Sequence, residues 1–355
     1  MASRYWVGGT GTWDSSATTK WSTSSGGSSG ASAPTAADDV FVDGNSGSPT
    51  ITVSGTITCR SFNGTGATGT LATGTSANAI NVGDATAGAS NIAWQQGGLA
   101  FTGTTCPLNF ISTSSTQQTI DPNGVTFMGV NINGTGSSYL ALGSIRTGAG
   151  GRIFTVTTGS IDFSTFNHSF GKFNSSNSST RTIAGSGTIT ISDTAGGTGW
   201  TTNTTTGLTW NFTGSLAFAG SGADQTVTPG TLMFDTVTFG GTANFLVTGS
   251  FKCNNLTINP GRTLTVTNGR TWTVYKIATI RGTSGNVITI LTDSAGVPFN
   301  FSKAYGVISS DYLSIKDCTF ASGATWFAGA NSTNVSGNTN ILFTSNASSG
   351  FLGMM

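Results

Sequence analysis

The sequence predicts an all-β protein built from short strands and many turns, and three observations support this. Glycine accounts for 52 of the 355 residues, about twice its usual share. Charged residues make up only 8% of the chain, and glutamate does not occur. Threonine, which favours strands, is the commonest residue, whereas Glu, Lys and Leu, which favour helices, are absent or scarce.

A chain rich in Gly, Ser and Thr can also be disordered, but the rest of the composition opposes that alternative. Hydrophobic residues make up 36% of the chain and include 22 Phe and 8 Trp, while the formal net charge is only +1. Disordered chains combine low hydrophobicity with high net charge. We therefore expect a folded protein with a substantial core.

The charge pattern and the cysteines exclude several classes of function. The sequence contains no cluster of Lys and Arg residues that would neutralise the phosphates of a nucleic acid, so we expect no nucleic-acid partner. No apolar stretch is long enough to span a membrane, and residues 1–11 resemble no secretion signal. Cys59, Cys106, Cys253 and Cys318 are far apart in sequence. We interpret them as buried hydrophobic residues, and we expect neither a metal nor a cofactor.

Residues 1–47 differ from the rest and form a predicted N-terminal cap. This segment holds Trp6, Trp13 and Trp21, followed by a stretch rich in Gly and Ser. A stack of strands exposes an apolar cross-section at its first turn unless something covers it. We predict that the three tryptophans provide this cover, with contact to a glycan as the alternative.

Residues 48–344 read as a long series of short strands. Apolar and polar residues alternate in segments such as 256–258, 264–266 and 287–291, and Gly, Asn and Ser separate the segments. Alternation with period two marks half-buried strands. We expect these inward side chains to line a dry core: Leu256, Ile258, Leu264, Val266, Val274, Ile288 and Ile290.

Internal repetition favours a stack of coils, a solenoid, over a sandwich or barrel. The segment 118–122, Gln-Thr-Ile-Asp-Pro, returns at 225–229 as Gln-Thr-Val-Thr-Pro. Gly143-Ser144-Ile145-Arg146 is matched by Gly249-Ser250-Phe251-Lys252. Stacked coils with turns of variable length give this kind of inexact repeat.

The chain resembles the right-handed parallel β-helix proteins of phage virion appendages and tail fibres. The resemblance is carried by Trp6, by Gly9-Thr10-Gly11-Thr12-Trp13, by Trp21, by residues 38–43 (Asp-Asp-Val-Phe-Val-Asp) and by the closing segment 326–343. It implies a right-handed parallel β-helix and a place in the virion, after synthesis in the host cytoplasm. It supplies no active site that could be carried over.

We therefore expect a non-enzymatic structural or receptor-binding protein of a bacteriophage particle, involved in host attachment. The alternatives are a polysaccharide depolymerase tailspike and a bacterial surface adhesin. Glycoside hydrolysis needs paired carboxylates, and the candidates are the cluster Asp38, Asp39 and Asp43 and the pair Asp311 and Asp317. We interpret both groups as structural, and the single histidine, His168, as a residue of a polar turn.

The expected partners are copies of the chain itself, other virion proteins and a host surface glycan. A surface with few charges causes little electrostatic repulsion between copies of the chain. We therefore expect a homo-oligomer, and a trimer by analogy with phage fibres. Residues 345–355 read as a linker followed by an apolar tail. In that tail Phe351, Leu352, Met354 and Met355 are the predicted assembly residues, as a plug for a partner or a cover for the last coil.

Overall fold

The computed structural model describes residues 2–74, 78–104, 106–321 and 323–345. Within these ranges the chain forms strands and turns, and its helical content is limited to two 3-10 turns, Gly44–Ser46 and Ala89–Asn91. The all-β class predicted from the composition is confirmed. Threonine stabilises the strands through its branched side chain, and glycine supplies the turns between them.

The first nineteen strands of the described chain are short, except for two long ones. They are β1 (Ala2–Trp6), β2 (Gly11–Trp13), β3 (Trp21–Ser22), β4 (Asp38–Phe41), β5 (Thr50–Val53), β6 (Thr56–Cys59), β7 (Ser61–Asn63), β8 (Thr70–Ala72), β9 (Ala79–Val82), β10 (Ile92–Gln95), β11 (Ala100–Thr102), β12 (Leu108–Phe110), β13 (Gln117–Asp121), β14 (Thr126–Phe127), β15 (Val130–Ala141), β16 (Arg146–Thr147), β17 (Ile153–Asp162), β18 (His168–Phe170) and β19 (Lys172–Asn174).

The later strands follow the same pattern. They are β20 (Arg181–Gly185), β21 (Thr188–Ile191), β22 (Gly197–Thr201), β23 (Leu208–Phe212), β24 (Ser215–Phe218), β25 (Gln225–Thr228), β26 (Met233–Phe239), β27 (Phe245–Val247), β28 (Phe251–Ile258), β29 (Thr263–Val266), β30 (Thr271–Ile280), β31 (Ile288–Thr292), β32 (Phe299–Ser302), β33 (Val307–Ser309), β34 (Leu313–Lys316), β35 (Cys318–Phe320), β36 (Thr325–Phe327) and β37 (Thr333–Ser336).

The chain divides into two compact units, of which the first contains Met1–Asp193 and Thr204–Gly214. In this unit β4, β7, β10, β13, β15, β17, β20 and β23 pair in that order, each parallel to the next. The series β2, β5, β8, β11 and the series β6, β9, β12, β15 do the same. From β4 to β10, each strand therefore pairs with the strand three places later. We call one such set of successive strands a coil.

The second unit contains Thr194–Asn203 and Ser215–Met355. One parallel series runs β22, β25, β27, β29, β31, β34, β37. The other runs β24, β26, β28, β30, β32, β35. The predicted stacking of parallel strands is confirmed in both units, because a chain can form such series only by returning to the same side after each coil.

Aromatic rings stack at matching positions of successive coils in each core. In the first unit Phe62 and Trp94 are register partners, and their rings are stacked with centroids 4.3 Å apart. In the second unit Phe218 and Phe239 are register partners and stack at 5.1 Å. The seven inward residues predicted between 256 and 290 are all buried. Parallel, in-register strands bring equivalent side chains together, so the inward positions form columns.

The first coil is covered at its outer edge. Strand β3 runs antiparallel to β1, whose other edge pairs with β4. The carbonyl of Trp21 in β3 accepts hydrogen bonds from the backbone N–H groups of Gly30 and Ala31, at 3.0 Å each. The Gly/Ser-rich segment therefore closes this edge, as a cap requires.

The last described coil, residues 333–345, is much more open. All four residues of β37 are exposed, and within the described ranges this strand pairs with β34 alone. Val335 and Leu342 are each 50% exposed. This coil contains no charged residue and no proline, the features that usually protect a free strand edge.

Candidate functional site

The three cap tryptophans lie in the core of the first unit. Trp6, Trp13 and Trp21 are buried, and the ring of Trp21 packs edge-on against Trp6 at 5.1 Å and against Trp13 at 5.2 Å. The indole Nε1 of Trp6 donates to the carbonyl of Gly9 at 2.7 Å. This arrangement suits packing beneath the first coil, and it turns no indole face toward solvent for a sugar.

A cleft of about 330 Å³ does lie beside Trp13, between the cap and the start of β6. Its wall includes Asp14, Pro34, Thr35 and Thr58. The carboxylate of Asp14 accepts hydrogen bonds from the backbone N–H groups of Ser16 and Ala17 at 2.8 and 2.7 Å. The carboxylate of Asp14 therefore stabilises the turn formed by the residues that follow it.

The carboxylates of the cluster Asp38, Asp39 and Asp43 each serve a different local contact. Asp38 accepts from the Thr35 hydroxyl at 2.9 Å, and Asp43 caps the turn Gly44–Ser46. Asp39 is buried and forms an ion pair with the buried Arg60, whose Nε lies 2.8 Å from its Oδ1. The hydrogen bonds that Arg60 donates to Asp39 raise the pKa of its guanidinium. The three groups therefore hold the backbone of the first coils in place.

Asp311 and Asp317 also support turns. Asp311 accepts from the backbone N–H of Asn331 at 3.0 Å and lies 3.6 Å from Arg281. Although burial raises its pKa, the hydrogen bonds from Asn331 and Tyr312 lower it overall. Asp317 is buried and accepts from the backbone N–H of Gly296 at 2.9 Å. The strand between them is Leu313–Lys316, so neither aspartate belongs to it. The alternation of side chains along a strand therefore does not place the two carboxylates on one face of the sheet.

The prediction that His168 belongs to a polar turn is wrong. His168 begins β18 and is buried, with its ring 4.6 Å from that of Phe163. Burial lowers its pKa from 6.5 to about 4. The alternation of His168, Ser169 and Phe170, inward, outward, inward, is the sequence signal that would have identified this strand.

The remaining predictions concern thiols, metals and the tail. All four cysteines are buried and unpaired, and burial raises the pKa of Cys106 and of Cys253 to about 12. Among the described residues, no group of three or more His, Cys, Asp or Glu side chains is arranged so that it could hold a metal ion. In the same ranges, no helix is long and apolar enough to cross a membrane. Phe351, Leu352, Met354 and Met355 lie outside the described residues.

The structure brings together a site that sequence reasoning missed, on the outer surface of the second unit. Two adjoining cavities of about 200 and 390 Å³ share Thr231 and Ser250 as lining residues. We call this surface the basic groove and define it by the following residues: Thr231, Ser250, Lys252, Arg270, Thr271 and Thr273.

The basic groove forms where successive coils make equivalent turns. The turns follow β25, β27 and β29 and lead into β26, β28 and β30. The turn backbones approach closely, since a Cβ on Gly249 would lie 3.0 Å from Cδ of Pro229. The hydroxyls of Thr228 and Thr248 lie 2.8 Å apart, and the Ser250 hydroxyl accepts from the backbone N–H of Thr271 at 3.0 Å. These hydrogen bonds fix a concave wall of hydroxyl and methyl groups.

Two cations line the basic groove without a carboxylate partner. Lys252 and Arg270 are exposed, and neither forms an ion pair among the residues that the structure describes. The nearby carboxylates are engaged elsewhere: Asp235 accepts from Asn254 at 2.9 Å, and Asp293 accepts from the backbone N–H of Asn268 at 2.9 Å. The groove is therefore positively charged and suited to an anionic, hydroxyl-rich ligand.

One partial signal of this site is present in the sequence. Gly249-Ser250-Phe251-Lys252 matches Gly143-Ser144-Ile145-Arg146 in the first unit, and in both cases the apolar residue is buried and the cation is exposed. The repeat thus marks a turn that places a cation outward. That Arg270 belongs to the next coil at the same turn follows only from the strand register.

No protein-family model, curated protein or solved structure matches the chain.

Proposed function

We propose that this protein is a non-enzymatic attachment or structural component of a phage particle, such as a tail fibre, spike or head appendage. The resemblance of its opening segment and its repeats to phage β-helix proteins supports this proposal. The parallel strand series of both units are the arrangement that a β-helix requires. The β-helix is right-handed in this proposal, because connections between parallel strands of one sheet are right-handed in nearly all proteins.

The proposed contact with the host is an anionic surface glycan bound in the basic groove. The observation that carries this step is the presence of two exposed cations, Lys252 and Arg270, that lack a carboxylate partner in the described ranges. A sugar carboxylate would pair with these cations, and sugar hydroxyls would bond to Thr231, Ser250 and Thr273. Threonine methyl groups in the same wall would pack against the apolar face of a pyranose ring.

Binding without cleavage is the form of contact that we propose. The engagement of Asp311 and Asp317 in separate turns supports this. A glycosidase needs two carboxyl groups about 5–10 Å apart that both face the substrate. In the basic groove the side chains suited to recognition are cations and hydroxyls, which bind a glycan but do not provide this acid and base pair.

The placement in a particle is tested by mass spectrometry and immunogold labelling of purified virus particles from the source of the sequence. We expect the protein in stoichiometric amounts at one position of the particle, with its partners among the virion proteins. Its absence from particles that are infectious would overturn the virion assignment.

The glycan contact is tested by titration calorimetry with trigalacturonic acid and, for comparison, with the neutral trisaccharide cellotriose. We expect binding of the acidic sugar only, weakened about tenfold or more by Lys252→Ala or Arg270→Ala, since a charge-assisted hydrogen bond contributes about 1.5–3 kcal/mol. Arg146→Ala is the matched control, because it removes an exposed cation from the equivalent Gly-Ser-x-cation segment. Equal binding of both sugars, or equal loss in the control, contradicts the proposed site.

A further inference from the structure

Two tyrosines stand out on the outer surface of the second unit. Tyr275 in β30 is 43% exposed and Tyr305 is 69% exposed. Ile277 and Val307, close to them in sequence, are also exposed. Single exposed apolar residues are common, but a group of them marks a binding surface.

A β-bulge in β30 places Tyr275 on the surface. Opposite Cys253 and Asn255 of β28, strand β30 contributes Val274 and Ile277, so it carries one residue more than its neighbour. The alternation of buried and exposed residues stops there, and Tyr275, Lys276 and Ile277 are all exposed. Bulges of this kind redirect side chains and are common beside functional sites.

Lys303 connects the bulge to the turn that carries Tyr305. This lysine is buried, and its Nζ donates a hydrogen bond to the backbone carbonyl of Lys276 in the bulge. The same Nζ lies 5.6 Å from the centroid of the Tyr305 ring, a cation–π contact. Lys303 therefore ties the bulge that carries Tyr275 to the turn that carries Tyr305, and we call Tyr275 and Tyr305 the tyrosine platform.

The tyrosine platform continues the basic groove. Thr271, Thr273 and Tyr275 alternate with the buried Trp272 and Val274, so all three point outward from β30. Thr273 and Tyr275 are two residues apart, about 7 Å along the strand. A ligand that leaves the groove past Thr273 therefore meets the aromatic rings.

We propose that the tyrosine platform is a second subsite for the same ligand, so that the protein recognises an extended acidic oligosaccharide and not a single acidic sugar. This inference rests on the proposed function of the basic groove. The acidic group lies between Lys252 and Arg270, and the C–H faces of following pyranose rings stack on Tyr275 and on Tyr305. Aromatic faces carry partial negative charge that attracts the polarised C–H groups of a sugar.

The experiment is titration calorimetry with oligogalacturonides of one to six units. For the wild-type protein we expect the affinity to rise with length until the oligosaccharide reaches the platform, and then to level off. Tyr275→Ala or Tyr305→Ala lowers the affinity of the longer oligosaccharides about 3- to 10-fold and leaves that of the monosaccharide unchanged. Tyr275→Phe and Tyr305→Phe, which keep the aromatic face, restore wild-type affinity.

The outcomes separate this inference from the proposed function. If monosaccharide and hexasaccharide bind equally in a manner that depends on Arg270, the groove stands and the second subsite is overturned. If no oligogalacturonide binds at all, both are overturned. Leu142→Ala, which removes an exposed apolar side chain of the first unit, controls for general surface effects, and an equal loss of affinity in this variant also overturns the subsite.

Discussion

The imidazole of His168 accepts a hydrogen bond at Nδ1 from the backbone N–H of Ile145, 3.1 Å away. Its Nε2 lies 2.9 Å from the carbonyl oxygen of Phe163. Because Nδ1 accepts, the proton of the neutral ring must be on Nε2, which donates to that carbonyl. One buried side chain thus satisfies two backbone groups from different parts of the first unit, and it can do so only while uncharged.

The fold should therefore lose stability in mild acid. The pKa of His168 falls from 6.5 to about 4 on folding, so the unfolded chain binds the proton more readily than the folded one. The contribution of His168 is complete above pH 6.5 and is lost as the pH falls toward 4, by about 3 kcal/mol in total. Urea unfolding between pH 7 and pH 4 measures this loss.

The variant His168→Asn is the control for the acid effect. Its side-chain oxygen can still accept from Ile145, but it does not titrate. We expect lower stability at pH 7 and a flat profile down to pH 4. Aspartates with lowered pKa, such as Asp14 and Asp293, affect stability only below that range. A wild-type profile that is also flat contradicts the role of His168.

Breaking the buried ion pair between Asp39 and Arg60 should be costly, whereas replacing both partners should cost less. Removing one partner leaves an uncompensated buried charge, which destabilises by about 3–5 kcal/mol. We expect this loss of unfolding free energy for Asp39→Leu and for Arg60→Met. The double variant should recover part of it, and additive losses in the double variant would show that the two charges are not coupled.

The aromatic columns should carry much of the stability of each core. Phe239 contacts Phe218, Phe245 and Trp272, with centroids 5.1, 5.1 and 5.9 Å away. We expect Phe239→Ala to lower the free energy of unfolding by about 3–5 kcal/mol. Phe239→Leu, which keeps an apolar side chain in the column, should lose clearly less. Similar losses in both variants would indicate that ring stacking itself, and not cavity volume, dominates.

Self-association is expected to depend on the open last coil. The last described coil, with the exposed strand β37 and the apolar side chains of Val335 and Leu342, contains no charged residue. Copies of the protein can therefore approach this coil without electrostatic repulsion. Light scattering should give a mass above the 35.9 kDa of one chain at micromolar concentration, and Val335→Lys should reduce it. A mass of one chain at all concentrations would contradict the predicted homo-oligomer.

The sequence allowed the fold class to be predicted well, because composition and two-residue alternation act locally. Leu256 and Ile258 could be placed inside from their spacing alone. The basic groove could not be predicted, since Lys252 and Arg270 come to line the same groove only through the register of β28 and β30. The tyrosine platform depends on one extra residue in β30, and no local sequence pattern predicts such a bulge. His168 was expected in a turn because a histidine, and not an apolar residue, occupies the first inward position of its short strand.

The covered first edge sets a limit on how copies of this protein can polymerise. Open-ended filaments need two complementary free edges on every molecule, one to receive a strand and one to offer it. Strand β3 crosses β1 in the antiparallel sense, and its own outer side is bonded by Gly30 and Ala31. Strand addition at that edge is therefore blocked, so association through β37 cannot propagate by adding the β37 of one copy to the β1–β3 edge of the next.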